Sequence, residues 1–330
     1  MANIGLSANQ IEARRGKVMA SDVAAYLGCN PQTSPVEAWG RNLGYEEFAD
    51  NEFTEMGLFL EEALTQLAVQ RLGVGAYSQP GTLFHPRHTW AGCTPDALLP
   101  ALAGHERSGI QIKNRHWSQL RFYGENPGPP ADWPDDANHA DLIPEWDHLQ
   151  VQWEMFVIGA SVWHLAAFFG GADFRIYRVR RDTDLQALML KRLAEFWRLH
   201  LDSAGPQETP GLDGHPGTTK YLRRHYPRDA QPDLLPTTPA LVEHAQRASE
   251  LAARIKELER AEAEARQHLM QACGEAPGIA GLCTWKCNRP SRKTDWQALA
   301  KSLPGWEQAL PTHTAETPGA RVFRLTYKPE

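Results

Sequence analysis

Hydrophobic residues in the first two hundred positions switch repeatedly between helical spacing and strand alternation. Apolar residues three and four apart indicate helices, and apolar residues at every second position indicate strands. The predicted helices are Ser21–Leu27, Pro35–Leu43, Thr54–Leu72, Glu145–Ile158 and one ending near His200, and the predicted strands are Thr89–Gly92, Ala97–Leu99, Gly109–Asn114, Val162–Phe169 and Phe174–Arg180. This order favours an α/β fold in which a mixed central sheet is flanked by helices.

The pattern changes after the first two hundred residues. Residues 203–239 contain seven prolines and few apolar positions, which is typical of a linker or a long surface excursion. One long helix is predicted over Leu241–Cys273, followed by short strands at Leu282–Cys287 and Arg321–Tyr327. We therefore predict three parts, 1–202, 203–239 and 240–330. The long helix is expected either to pack on its own domain or to form a subunit contact.

Composition excludes several classes of protein. The chain is 42% hydrophobic and 22% charged with a net charge of −6, which argues against global disorder and against any role that rests on bulk positive charge. No apolar stretch long enough to span a membrane and no basic and apolar leader is evident, so we expect a soluble, cytoplasmic protein without a membrane partner. The five cysteines are scattered and predict no zinc or iron–sulfur site.

Polar residues lie directly before one predicted strand and within the next. Asp96 follows Thr94-Pro95, and the next strand reads Gly109-Ile110-Gln111-Ile112-Lys113. Strand alternation places Gln111 and Lys113 on one face, beside Asp96, and directs the two isoleucines into the core. Taken singly, a Pro-Asp pair is most often a turn and a strand lysine is most often solvated.

A third polar pattern lies on the helix that begins near Thr54. Gly57, Glu61, Leu64 and Ala68 share one face, so the Glu61 carboxylate is directed toward the body of the domain. Two carboxylates, an amide carbonyl and a lysine suit Mg²⁺, or Mn²⁺ in its place, bound through oxygen. Such a group predicts hydrolysis of a phosphodiester, with Lys113 orienting water or stabilising developing charge.

The order of these patterns resembles the PD-(D/E)XK nuclease superfamily, and within it the YqaJ/lambda-type phage recombination exonucleases. The resemblance covers roughly residues 10–200 and includes the helix with Leu149-Gln150-Val151-Gln152 and the segment that runs from Arg14 to Val23. It implies a restriction-endonuclease-like core with a C-terminal helical appendage. It also implies roles for individual residues: Asp96 as metal ligand, Lys113 as catalytic lysine, Glu61 as the helical glutamate, Gln152 on the helix lining the site, and Arg14 and Ser21 at the 5′-phosphate. Ile112 is counted with the metal ligands, together with Gln111, and Thr94 with the DNA-binding residues.

The same resemblance implies a function. Such enzymes degrade one strand of linear double-stranded DNA from its 5′ end and leave a 3′ overhang for a single-strand annealing protein. They commonly form ring-shaped trimers, and a positive inner wall would let a chain of net negative charge handle DNA. The expected setting is the cytoplasm of a bacterial or phage-infected cell.

Position 111 departs from the family pattern, which has glutamate or aspartate there. Gln111 could still offer its carbonyl oxygen, but the lost charge should weaken metal binding. The change is either natural or an engineered Glu→Gln, and the intact remainder of the pattern favours the engineered change. Two alternatives stay open: a structure-selective endonuclease of the same fold, and a DNA-end-binding protein with an impaired site.

Overall fold

The computed structural model describes residues 8–45, 52–100, 107–171, 173–227, 233–288 and 295–313. The chain forms two compact units, residues 1–225 and 226–330. The helices are α1 Ala8–Arg14, α2 Val23–Tyr26, α3 Pro35–Leu43, α4 Glu52–Arg71, α5 Glu145–Ile158, α6 Thr183–Phe196, α7 Pro216–His225, α8 Pro239–Cys273, α9 Trp296–Ser302 and α10 Trp306–Ala309. The strands are β1 Val18–Met19, β2 Leu83–Phe84, β3 Ala91–Cys93, β4 Ala97–Leu99, β5 Ser108–Arg115, β6 Val162–Phe169, β7 Asp173–Arg180, β8 Gly278–Ile279 and β9 Cys283–Thr284.

A mixed four-stranded sheet forms the centre of the first unit, in the order β4-β5-β6-β7. Strands β5 and β6 run parallel, with Gln111 opposite Leu165, and the two outer strands pair antiparallel to them. Helix α5 makes the crossover between the two parallel strands, as a parallel pair requires. The predicted α/β class, with sheets flanked by helices and a helical C-terminal part, is confirmed.

A separate, smaller sheet is the main difference from the predicted arrangement. It has the order β1-β3-β2, and Val18 pairs in parallel with Ala91. The strand predicted at Thr89–Gly92 therefore belongs to this small sheet, as part of β3, and not to the central sheet. Helix α5 packs against this small sheet as well as against β6, and Trp153 is fully buried. The amino-terminal segment is thereby brought beside α5.

Local sequence signals set the ends of helices α3 and α5. Ser34 caps α3 by accepting from the Glu37 N–H at 3.2 Å, with Pro35 at the first helical position. Gly159 ends α5 at a φ of 78°, a left-handed conformation that favours glycine. These helix-capping residues explain why the predicted bounds of α3 and α5 agree with the structure.

Part of the segment 203–239, which is predicted as a linker or surface excursion, packs on the first unit. Helix α7 lies within it and packs on α3, burying Tyr221. Gly40 permits the close approach, because a Cβ there would lie 2.5 Å from Cε2 of Tyr221. The first compact unit accordingly extends to residue 225, beyond the predicted boundary at 202.

The second unit contains α8, the small β8–β9 hairpin, α9 and α10. Thr238 caps α8 by accepting from the Leu241 N–H at 3.3 Å. The predicted strand at Arg321–Tyr327 lies outside the described residues. None of the helices in the described ranges is long and apolar enough to cross a membrane.

Candidate active site

Asp96 is fixed to β5 by two short hydrogen bonds. Its Oδ2 accepts from Nε2 of Gln111 at 2.6 Å and from the backbone N–H of Ile112 at 2.6 Å. The antiparallel pairing of Ala97 with Ile110 places the aspartate at the level of the strand's polar face. Ile110 and Ile112 are buried in the core of the sheet. The structure thus places Asp96 and Gln111 together, as strand alternation predicts.

Lys113 is held by helix α5. Its Nζ donates to Oε1 of Gln150 at 2.6 Å and lies 3.8 Å from Oδ1 of Asp147. Burial lowers the pKa of Lys113, and the charge of Asp147 opposes that shift. The ammonium is therefore directed by two polar side chains of one helix.

Asp147 is the centre of a buried polar group that sequence reasoning missed. Its side chain is 2% exposed, and Oδ1 accepts from Nη2 of Arg115 at 2.8 Å. Its Oδ2 accepts from the hydroxyl of Tyr123 in a short hydrogen bond, and burial raises the pKa of that hydroxyl. The available signal was the spacing of Asp147 and the apolar Val151, four residues apart on one face of α5.

Glu61 approaches the same place from α4. Burial raises its pKa, the charge of Glu62 adds to the shift, and the charge of Lys113 opposes it. Burial also raises the pKa of Asp96 to about 7, Glu61 adds to the shift, and the Ile112 N–H and Lys113 oppose it. The two carboxyl groups therefore repel one another beside the same lysine.

Glu154 is a second residue that sequence reasoning missed. It is fully buried, and its Oε1 accepts from Nε2 of Gln150 at 2.9 Å. Burial raises its pKa to about 8, with Gln150 and Lys113 favouring the ionised form and Asp96 disfavouring it. The available signal was the spacing of Gln150 and Glu154, four residues apart on one helix face.

The structure does not bring Gln152 together with Asp96 and Lys113. Its Nε2 donates to the Arg180 carbonyl at 2.8 Å, and its Oε1 accepts from the Asp182 N–H at 3.0 Å. Two residues along a helix turn the side chain by about 200°, so Gln150 and Gln152 face nearly opposite ways. Gln150 occupies the place predicted for Gln152.

Arg14, Ser21 and Thr94 lie on the neighbouring small-sheet side. Burial lowers the pKa of the half-buried Arg14 guanidinium, while the charge of Asp22, next to Ser21, opposes the shift. Nε of Arg14 has no hydrogen-bond partner among the described residues. Ser21 is exposed, and the Thr94 hydroxyl lies 3.0 Å from that of Thr82.

Two buried oxygens in this group suit a cation. Oε1 of Gln111 and Oε2 of Glu154 have no hydrogen-bond partner in the described part of the chain, and such atoms are costly to bury. Carboxylate and amide oxygens are the ligands that Mg²⁺ and Mn²⁺ prefer. Within the described ranges, no three His, Cys, Asp or Glu side chains are grouped to hold a metal ion. A cation here would therefore also need the Gln111 amide oxygen or water.

Comparison with known proteins supports the sequence resemblance. Residues 11–161 match the YqaJ-like viral recombinase domain, and this segment contains every site residue predicted from sequence. A protein of Bacillus subtilis (strain 168) named "Uncharacterized protein YqaJ" is 25% identical over 260 residues, which is 76% of this chain and 74% of that protein. The predicted resemblance to YqaJ-type recombination proteins is confirmed.

Solved structures give more distant similarities. An alkaline exonuclease (LHK-Exo) from Laribacter hongkongensis is 17% identical with a TM-score of 0.43, over 66% of this chain and 97% of that one. A phage related exonuclease from Haemophilus somnus 129PT is 14% identical with a TM-score of 0.39, over 55% of this chain and 93% of that one.

Proposed function

We propose that this chain is a metal-dependent exonuclease that acts on the ends of linear double-stranded DNA. It degrades one strand in the 5′→3′ direction and leaves a 3′ single-stranded overhang for recombination by strand annealing. The observation that carries this proposal is the convergence of Asp96, Gln111 and Lys113 on one face, with Lys113 held by Gln150. The match of residues 11–161 to a viral recombinase domain supports it independently.

The proposed cofactor is Mg²⁺, for which Mn²⁺ can substitute. Asp96, the amide oxygen of Gln111 and the backbone of Ile112 would hold it, with Glu61 adding negative charge from α4. When bound, such an ion polarises the scissile phosphate and lowers the pKa of a coordinated water. Gln111 and Ile112 also orient Asp96, because both donate to its Oδ2.

Lys113 acts on the attacking water and on the charge that develops on phosphate. Its ammonium is buried, so an interaction with phosphate oxygen there is stronger than the same contact in water. Asp147 favours the protonated form of the lysine, opposing the effect of burial on its pKa, and Gln150 fixes the direction of Nζ. The lysine is thereby positioned before substrate arrives.

The 5′-phosphate is bound by Arg14 and Ser21, with Thr94 and Gln150 on the adjoining walls. Arg14 has an unpartnered Nε among the described residues, and a guanidinium fits a phosphate with paired donors. Gln152 is left out of this set because its side chain faces α6 and β7.

The proposed assembly is a ring-shaped homotrimer that encloses DNA and cooperates with a single-strand annealing protein in the cytoplasm of a bacterial or phage-infected cell. A ring with a positive inner wall reconciles DNA binding with the net charge of −6. Analytical ultracentrifugation of the full chain tests the trimer, since a monomer or dimer at micromolar concentration contradicts it.

The function is tested by nucleotide release from linear 5′-phosphorylated duplex DNA in Mg²⁺, with closed circular duplex as substrate control and Lys113→Ala as protein control. The proposal expects release from linear DNA only, starting at 5′ ends, and loss of release in Lys113→Ala. Cutting of the closed circle would instead show the endonuclease alternative.

A DNA-end-binding protein with an impaired site is the second candidate. It is motivated by Gln111, whose amide N–H donates to the carboxylate that should bind metal. It expects retained binding of DNA ends without nucleotide release, even when Mn²⁺ replaces Mg²⁺ or when glutamate replaces Gln111.

A further inference from the structure

Strand β5 carries a neutral residue where the family pattern has a carboxylate. Gln111 is neutral, and its Nε2 donates to Asp96 at 2.6 Å. The Asp96–Gln111 pair therefore carries one negative charge, at the lower end of the one or two carboxylates through which proteins bind Mg²⁺. The amide oxygen of Gln111 has no partner among the described residues and is free to bind a cation.

Glu154 supplies a second carboxyl group at this place from helix α5. It is fully buried and interacts electrostatically with Lys113 and Asp96. Burial raises the pKa of Cys93, which directly precedes Thr94, and the charge of Glu154 adds to that shift. Trp163, whose indole favours the ionised form of Glu154, pairs with Gly109 and so lies on the same face of the sheet as Gln111 and Lys113.

One oxygen of Glu154 is satisfied and the other is not. Oε1 accepts from Gln150, the residue that also accepts from Lys113. Oε2 makes no hydrogen bond among the described residues; the indole N–H of Trp163, which also makes none there, is close enough to favour the ionised form of the carboxyl group. A carboxyl group buried for packing alone would need a partner for both oxygens, because an unsatisfied buried polar atom costs about 1–3 kcal/mol.

We propose that Glu154 supplies the metal-binding carboxylate that β5 lacks, so that Asp96, Glu154 and the amide oxygen of Gln111 together hold the divalent cation. This inference rests on the proposed function and identifies a ligand for that same site. The carboxylate that the family pattern has at position 111 of the strand is replaced by Glu154 on the facing helix, so the total negative charge of the site is the same. Gln111 is then compatible with a natural sequence and a working site.

The test is a charge swap in the full chain, read by isothermal titration calorimetry with Mn²⁺ and by thermal unfolding with and without Mg²⁺. The variants are Glu154→Gln, Gln111→Glu and the double variant. Glu145→Gln, on the exposed start of the same helix, is the matched control. We expect Glu154→Gln to lose affinity for Mn²⁺ by about tenfold or more. The double variant should bind within about threefold of the wild type, and Glu145→Gln should bind like the wild type.

Unchanged Mn²⁺ affinity in a folded Glu154→Gln variant would overturn the inference. If that variant does not fold, Glu154→Asp is measured in its place: the inference expects weaker Mn²⁺ binding because the shorter side chain withdraws the ligand oxygen, and unchanged affinity overturns it. Failure of the proposed function is distinguishable, since the wild type would then bind no Mn²⁺ and release no nucleotide from linear DNA. Digestion by the wild type together with unchanged binding by Glu154→Gln rejects only the role of Glu154.

Discussion

Lys113 on β5 donates from Nζ to Oε1 of Gln150 on α5 at 2.6 Å, which joins the strand that carries the proposed chemistry to the helix that faces it. The same Gln150 donates from Nε2 to Glu154. Two hydrogen bonds, one through Oε1 and one through Nε2, therefore fix the orientation of the Gln150 amide. The amide thereby connects Lys113 to a buried carboxyl group. The predictions below test what each part of this arrangement does.

Gln150 and Gln152 should respond differently to alanine. Gln150→Ala frees Nζ of Lys113 and removes the donor to Glu154, so we expect nucleotide release per folded molecule to fall by about tenfold or more, besides a loss of stability of about 1–3 kcal/mol. Gln152 is fully buried and bonded to backbone groups of two other segments, so Gln152→Ala should lower the melting temperature without lowering the rate per folded molecule. Single-turnover rates and thermal unfolding separate the two effects. Equal losses of activity per folded molecule would contradict this division.

Asp147 should be essential for stability as well as for the lysine. Asp147→Asn leaves Arg115 without its buried carboxylate, and breaking such a pair costs about 3–5 kcal/mol. Tyr123→Phe removes only one hydrogen bond to Asp147 and should cost about 1–2 kcal/mol. Urea denaturation of both variants measures the ratio. If Asp147→Asn lowered the free energy of unfolding by less than Tyr123→Phe does, the central role of Asp147 in this buried group would be contradicted.

Without metal, the contribution of Asp96 and Glu154 to stability should fall as pH rises from about 4 to about 8. Asp96 and Glu154 have folded pKa values of about 7 and about 8, so the folded state keeps protons that the unfolded chain releases near 3.8 and 4.5. Their stabilising contribution is complete below the unfolded pKa values and is lost as pH passes through the folded ones. Denaturation in a chelator at pH 6 and pH 8 should show a smaller difference for Glu154→Gln than for the wild type. Glu145 is exposed, so Glu145→Gln should show the same difference in stability between pH 6 and pH 8 as the wild type.

Arg14 should determine the preference for a phosphorylated 5′ end. Arg14→Ala is expected to remove the advantage of a 5′-phosphate over a 5′-hydroxyl, because a guanidinium makes charge-assisted hydrogen bonds to phosphate. Arg15→Ala is the control, since the Arg15 side chain is 48% exposed and pairs with Glu12 at 3.6 Å. Initial rates on the two kinds of end measure the ratio. A ratio that changes equally in both variants would indicate a general loss of positive charge.

Gly40 and Gly57 should differ although both lie inside helices. A Cβ at position 40 would lie 2.5 Å from the ring of Tyr221, so Gly40→Ala should cost about 1–3 kcal/mol by forcing α7 from α3. A Cβ at position 57 meets nothing within 4 Å, so Gly57→Ala should stabilise by up to about 1 kcal/mol. Unfolding free energies measure both. A neutral Gly40→Ala would mean that α7 does not depend on this contact.

The sequence by itself determined the four strands of the central sheet, the helices α3, α4 and α5, and one half of the candidate site. Alternation along β5 placed Gln111 and Lys113 beside Asp96, and the caps at Ser34 and Gly159 fixed helix ends, because both signals depend on neighbouring residues only.

The tertiary structure decided which face of α5 meets that strand. A helical pattern leaves the rotation of a helix about its axis open when polar residues lie on several faces, so Gln150 and Gln152 were equivalent in sequence. Contacts with β5 on one side and α6 on the other resolved them, and the same rotation brought Asp147 and Glu154 to Lys113. The burial that raises the pKa of Glu154 exists only once those layers have packed, which is why no local pattern could reveal it.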